Sequence, residues 1–297
     1  MSLALDTSLK SRLTLRQRQA ARQEARELLA IKSLAGFIRY VWSVVEPGTT
    51  LVWNWHIDSL CEELEAVSRG EVRNLVIMIP PGCMKSLIVS VMYPAWNWIR
   101  DPSERAMYLS NSDTLVKRDS MRTRDIIRSP RYSRLLDRAV LARLFPWTKR
   151  GRKWMIKRDQ DEKFLFANDA GGFRQAQTIN AKVTGKRSDI QVIDDPYDAD
   201  EAIEGGVESI AEKMARIVRK FKGTLRTRLN DSRKSRRIVI MQRLNQGDLA
   251  GVLAEDPGWK VVCIPMEYNS DHPHRYEGDP RTEEGELLDA VRFPQEE

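Results

Sequence analysis

The sequence predicts an α/β protein built on a buried, mostly parallel sheet with helices on its faces. Three observations predict it. Five short apolar runs recur along the chain: LVIMI (75–79), AMYLS (106–110), IQVI (190–193), RIVIM (237–241) and KVVCI (260–264). They are continuous rather than alternating, as in strands covered on both faces. Helix-forming stretches separate most of them, which is the pattern of strand–helix–strand crossovers.

The elements follow in order. Residues 8–45 are rich in Arg, Gln, Ala and Leu and read as helix. Their first part is basic and weakly apolar, a solvated face or a docking arm. From Leu28 onward, Leu28, Ile31, Leu34, Ile38 and Val41 recur at helical spacing, and EPGTT ends the stretch. Residues 1–50 are thus expected to form an N-terminal helical arm. HIDSLCEELEAVSRG is a second helix, stopped at Gly70. Further helices are expected over 114–127 and over 207–221, where Val207, Ile210, Met214, Ile217 and Phe221 share a face. The interval 152–180 differs: KWMIKR, KFLFAND and GFRQAQTI, parted by turn residues such as NDAGG, suggest an antiparallel ribbon added to the parallel core. Residues 266–297 are polar and poorly periodic, and read as a linker.

Bulk properties narrow the function classes. The 297 residues, 41% of them hydrophobic, can bury a sizeable core. Lys plus Arg is 49 against 42 for Asp plus Glu, a net +7 that is compatible with a polyanionic partner. Cys61, Cys83 and Cys263 are widely spaced, giving neither a zinc pattern nor a disulfide framework. No apolar run approaches the ~18 residues of a membrane span, so no membrane partner is expected. MSLALDTSLKSRL turns polar too early for a signal-peptide core.

The chemistry concentrates in three segments. The first is NLVIMIPPGCMKSLIVSVM (74–92), a buried strand, a tight turn and a helix. A phosphate-binding loop reads G-x-x-x-x-G-K-[ST]. Counted back from Lys85-Ser86, the glycine positions hold Met84 and Ile79. The physics still fits a Walker A loop. Pro80, Pro81 and Gly82 shape the turn, and backbone N–H groups from Gly82 through Cys83 and Met84 to Ser86 can face phosphate oxygens at a helix N-terminus. Lys85 would neutralise the β and γ phosphates, and the Ser86 hydroxyl would ligate Mg²⁺. The alternative is an ordinary strand-to-helix turn with a surface lysine. Its weak point as a phosphate loop is the Cβ of Met84 where glycine is usual.

The second segment, SDIQVIDDPYDADEA, places Asp194 and Asp195 directly after a strand, where a Walker B motif holds its metal. Asp194 is the natural Mg²⁺ ligand. Asp195 stands where a water-activating carboxylate belongs, as general base or orienter. A helix N-cap is the alternative. The third, RRIVIMQRLNQGDLAG, is a strand ending in Gln242-Arg243. Gln242 can touch a γ-phosphate and Arg243 can transmit its loss; a polar strand terminus is the alternative.

Together these segments resemble the ATPase domain of the large terminase subunit of tailed bacteriophages, the motor that pumps viral DNA into a procapsid. PPGCMKS, DIQVIDDP and IVIMQRLNQGDLAG carry the resemblance, with WNWHIDSLCEELE, TGKRSD, GTLRTRLND and GELLDAVRFP in the same order over about residues 50–293. The resemblance implies a P-loop NTPase core of ASCE/RecA-like type over 51–265, with 266–297 leading toward an absent C-terminal nuclease domain of RNase H type. No DNA cleavage is then expected from these residues. It implies ATP and Mg²⁺ as ligands, with Pro81 to Ser86 around the phosphates. Asp194 would sit at the metal, Asp195 would be the catalytic carboxylate, and Gln242 would lie in the coupling motif. His56 beside Trp55 would meet the adenine. A trans-acting arginine is implied as well. The usual position holds Thr184, so Arg187 is the candidate, next to Lys186, with Arg228 second. Double-stranded viral DNA, a portal protein, a small terminase subunit, a homo-oligomeric ring and the host-cell cytoplasm follow from the same resemblance. Two other readings stay open: a helicase or remodeller, which usually pairs two such cores, and a nucleotide-binding switch without significant turnover.

Overall fold

Each of the five apolar runs becomes a strand, and all five lie in one sheet. The structure, a computed structural model, describes residues 14–160, 165–181, 187–197 and 210–293. Its strands are β1 (Asn74–Met78), β2 (Arg105–Ser110), β3 (Ile156–Gln160), β4 (Leu165–Asn168), β5 (Phe173–Thr178), β6 (Ile190–Asp194), β7 (Arg236–Met241) and β8 (Lys260–Cys263). The order across the sheet is β3-β4-β5-β2-β6-β7-β1-β8. From β5 to β8 every pairing is parallel, while β4 runs antiparallel to both its neighbours, β3 and β5. The expected ribbon is therefore β3–β4, attached to the parallel core through β5.

The continuous apolar runs have a direct cause. Leu75 and Ile77 point into one core and Val76 and Met78 into another, on opposite faces of the pleat. Helices cover both faces. α1 (Leu15–Lys32), α2 (Leu34–Val45), α3 (Trp55–Arg69), α4 (Tyr93–Arg100), α5 (Asp113–Arg128) and α6 (Pro130–Leu141) precede the ribbon; α7 (Ile210–Lys220) and α8 (Leu249–Ala254) follow it. Residues of α1 to α6 fill the first core, while α7, α8 and Trp259 fill the second.

Within 8–45 the described residues form two helices rather than one, bent by 113°. Ser33 makes the break. Its N–H closes α1 on the Leu29 carbonyl, and its hydroxyl accepts from the Gly36 N–H to open α2. Gly36 permits the fold-back, because a Cβ there would stand 2.8 Å from the Leu29 oxygen. Hydrophobicity favours the bend: Leu34, Phe37, Ile38 and Val41 of α2 are fully buried, each side chain worth about 1.5–3 kcal/mol. The first half of α1 stays in solvent. No single helix among the described residues is long and apolar enough to cross a membrane.

The helix after β1 is irregular. Lys85 and Ser86 open it, Leu87–Met92 is wound as π-helix, and α4 continues it. Pro94 explains the local widening. It has no N–H to give the Ser90 carbonyl four residues back. Arg174 Nη2 reaches that carbonyl at 2.8 Å and the Thr123 hydroxyl at 3.4 Å.

The stretch 266–293 packs against the body. Tyr268 and Glu286 share a backbone bond of 2.9 Å, and Leu288 donates to Met266 at 2.7 Å. The buried Arg281 guanidinium binds the carbonyls of Pro265, Met266 and Glu286.

Candidate functional site

All five core parallel strands end at one edge of the sheet. Met78 is in register with Met241 and Cys263, and Asp194 with Ile240 and Ser110. β7 stands between the strand that feeds the Ile79–Ser86 loop and the strand that ends in the acidic pair. Ligands of open α/β sheets bind at this carboxyl edge.

The loop from Ile79 to Ser86 turns through two left-handed residues, Gly82 at φ +80° and Met84 at φ +60°. Met84 thus takes the conformation for which glycine is the usual residue, at a cost of roughly 1–2 kcal/mol. That answers the objection its Cβ raised: the turn forms, under strain. Asp195 is also left-handed, at φ +42°, a region its short polar side chain tolerates.

Four predicted residues meet here. Lys85 Nζ lies 2.9 Å from Asp195 Oδ1 and 2.8 Å from Oδ2. The Ser86 hydroxyl donates to Asp194 Oδ1 at 3.1 Å. Lys85 is 8% exposed and Asp194 6%. Burial, then the neighbouring Asp195 charge, pushes the Asp194 carboxyl well above the ordinary carboxylate range, against the hydrogen bonds from Ser90 and Ser86. Gln242 joins through its backbone, whose N–H points at Asp195 Oδ1 at 3.4 Å. Arg243 turns to Asp248, the cap of α8, at 3.1 Å and so fixes the loop between them.

Sequence reasoning missed several partners. Ser90 donates to Asp194 Oδ2 at 2.6 Å; it lies four residues past Ser86 in the same helix, a spacing that offers a signal. Asn111 donates from its backbone to the Asp195 carbonyl at 3.2 Å. Its side chain binds the Tyr197 carbonyl at 2.6 Å, and the Tyr197 hydroxyl accepts from the Leu249 N–H at 3.0 Å. Arg174 is 1% exposed, stacked over Tyr108 at 4.2 Å, and burial lowers its pKa to about 10. An arginine in a strand reads as a solvent-facing residue, so no signal marked it.

His56 and Trp55 open α3 on the other flank of the loop. His56 is 2% exposed, its ring packed against the Cys83 backbone. Burial pushes its pKa below the ordinary value, opposed by the Asp289 carboxylate and the Cys83 backbone. Trp55 packs edge-on to His56, with Arg281 5.6 Å above its ring. Cys83 is buried, and its thiol is pushed up to about 11.

The arginines lie elsewhere. Arg187 precedes β6, and Arg228 accepts from Ser188 through its carbonyl at 2.9 Å. Both backbones therefore sit at the opposite end of β6 from Asp194, about 20 Å or more away at ~3.3 Å per residue. Neither meets the acids of its own chain. Thr184 and Lys186 lie outside the described residues, as does Val207 of the expected helix face.

The donor set suits Mg²⁺, which takes one or two carboxylates and completes its shell with water and phosphate oxygens. Asp194 and the Ser86 hydroxyl are hard oxygen donors on one spot, and the raised Asp194 carboxyl is a charge a divalent cation would offset. Among the described residues, no group of three His, Cys, Asp or Glu side chains forms a closed metal cage.

No family model matches this chain, and no curated protein matches it. Among solved structures, that of the HK97 bacteriophage large terminase is similar, at 14% identity and a TM-score of 0.44. The likeness covers 76% of this chain and 42% of that one, so this chain spans less than half of its length.

Proposed function

We propose that this chain is an ATPase motor domain of the terminase type, hydrolysing ATP to translocate double-stranded DNA into a procapsid. The observation that carries the reading is the convergence of Lys85, Ser86, Asp194 and Asp195 on one sheet edge, each held by the contacts above. The ordered motifs supply the terminase part. Lys85 would leave Asp195 for the β and γ phosphates, since phosphate carries more charge than one carboxylate. Freed of Lys85, Asp195 would orient the attacking water and accept its proton, while Gln242 lies next to the same oxygen. Mg²⁺, held by Asp194 and Ser86, would neutralise charge on the leaving diphosphate. Arg187 or Arg228, remote from its own acids, would act on a neighbouring subunit of a ring. Viral DNA, the portal protein and the small subunit are the partners proposed, in the host-cell cytoplasm.

The test is phosphate release by purified protein with Mg²⁺ and ATP, with and without double-stranded DNA. Lys85→Ala and Asp195→Asn are expected to abolish turnover, and DNA to raise it. Specific activity is expected to rise with protein concentration if a neighbour completes the site. Nucleotide binding without turnover under every condition would replace the motor with a switch. ATP-driven strand separation would replace it with a helicase.

A further inference from the structure

The last described residues touch the phosphate loop itself. β8 runs parallel beside β1, so the chain leaves it at the same edge as the loop. It then doubles back and is held down, with the Asn54 side-chain amide donating to the Leu288 carbonyl at 2.7 Å. Beyond that point Arg292 Nη1 donates to the Gly82 carbonyl at 2.8 Å. The Phe293 ring lies on Gly82 so closely that a Cβ there would stand 2.6 Å from Cζ. His56 lies buried nearby, its ring against the Cys83 backbone, with Asp289 and Arg292 as charged neighbours.

A nucleotide with its phosphates on the loop must send its ribose and base to one side. One side is occupied: Lys85 and Asp195 face each other there, with the Gln242 and Asn111 backbone N–H groups on Asp195. The other is the strap, where a half-buried aromatic ring lies on the loop beside an exposed guanidinium. An aromatic face stacks on any base. We infer that Arg292 and Phe293 form the base-side wall of the nucleotide site, with Phe293 as the stacking platform for a purine. This rests on the phosphate-loop reading above.

The experiment compares two ligands by calorimetry: the non-hydrolysable ATP analogue AMP-PNP with Mg²⁺, and inorganic tripolyphosphate with Mg²⁺. Phe293→Ala is expected to weaken the nucleotide about tenfold, the usual worth of one base–aromatic stack, and to leave tripolyphosphate unchanged. Phe293→Trp is expected to restore nucleotide affinity, and Phe293→Leu, which keeps bulk without a π-face, not to. Equal weakening of both ligands would make the strap a mere prop for the loop and overturn the inference. No change in either would place the base elsewhere and overturn it too. Wild-type protein that binds neither ligand would instead remove the phosphate-loop reading, as would Lys85→Ala protein that still binds tripolyphosphate at full strength.

Discussion

Asp194→Asn isolates the cost of a buried charge at the sheet edge. The carboxylate is 6% exposed and takes hydroxyl donors from Ser86 and Ser90 at 3.1 and 2.6 Å. Asparagine fits the same space. Its oxygen accepts from one hydroxyl, and its amide donates to the other once that hydroxyl rotates. The substitution therefore removes charge and little else. Because the folded carboxyl titrates above the unfolded one, the folded chain holds this proton more tightly. Its contribution to stability is present at low pH and is lost as pH rises from the ordinary carboxylate value through the raised one. A buried charged group left with only partial compensation costs about 2 kcal/mol, which in a chain of this size is roughly 3 °C in Tm. Thermal unfolding followed by circular dichroism in EDTA gives the answer. At pH 8 the variant should melt a few degrees above the wild type; at pH 5, where Asp194 is protonated, the two should agree. A variant less stable at pH 8, or a difference that does not change with pH, would refute the argument.

Other changes test other parts of the structure. Met84→Gly trades relief at φ +60° against glycine's chain entropy, so its stability should stay within about 1 kcal/mol of wild type. Met84→Val, β-branched at positive φ, should lose at least about 1 kcal/mol more; urea titration measures both. Glu104→Ala leaves the partly buried Arg236 without the carboxylate 2.5 Å from it and should cost about 2–3 kcal/mol, seen as an earlier urea midpoint. Gly36→Ala drives a methyl into the Leu29 backbone at the α1–α2 corner and should cost about 1–3 kcal/mol by the same assay.

The strands could be read because burial on both faces makes LVIMI apolar throughout and leaves IQVI a single polar residue, Gln191, whose amide donates to the Leu225 carbonyl. Lys85, Ser86 and the acidic pair could be read because each follows such a strand, and a parallel sheet brings those ends together. Met84 shows the limit of a pattern: the backbone angle was kept while the residue that usually provides it was not. The break at Ser33 lay inside a composition that is helix-forming throughout, and only a capping hydroxyl with Gly36 three residues on marks it. The strap of 266–293 has no period because its shape comes from side chains such as Arg281 binding carbonyls, which composition does not reveal. Arg174 needed the fold itself, since its partner is a carbonyl vacated by a proline eighty residues earlier in the chain.

That guanidinium ties distant material together. Arg174 leaves β5, the strand that carries the outer hairpin, and grips the carbonyl of the same serine whose hydroxyl steadies Asp194. The hairpin strand is thus joined through one side chain and one residue to the Asp194 carboxylate. The outer hairpin and the acidic pair at the sheet edge share one mechanical neighbour, the helix that carries Ser90.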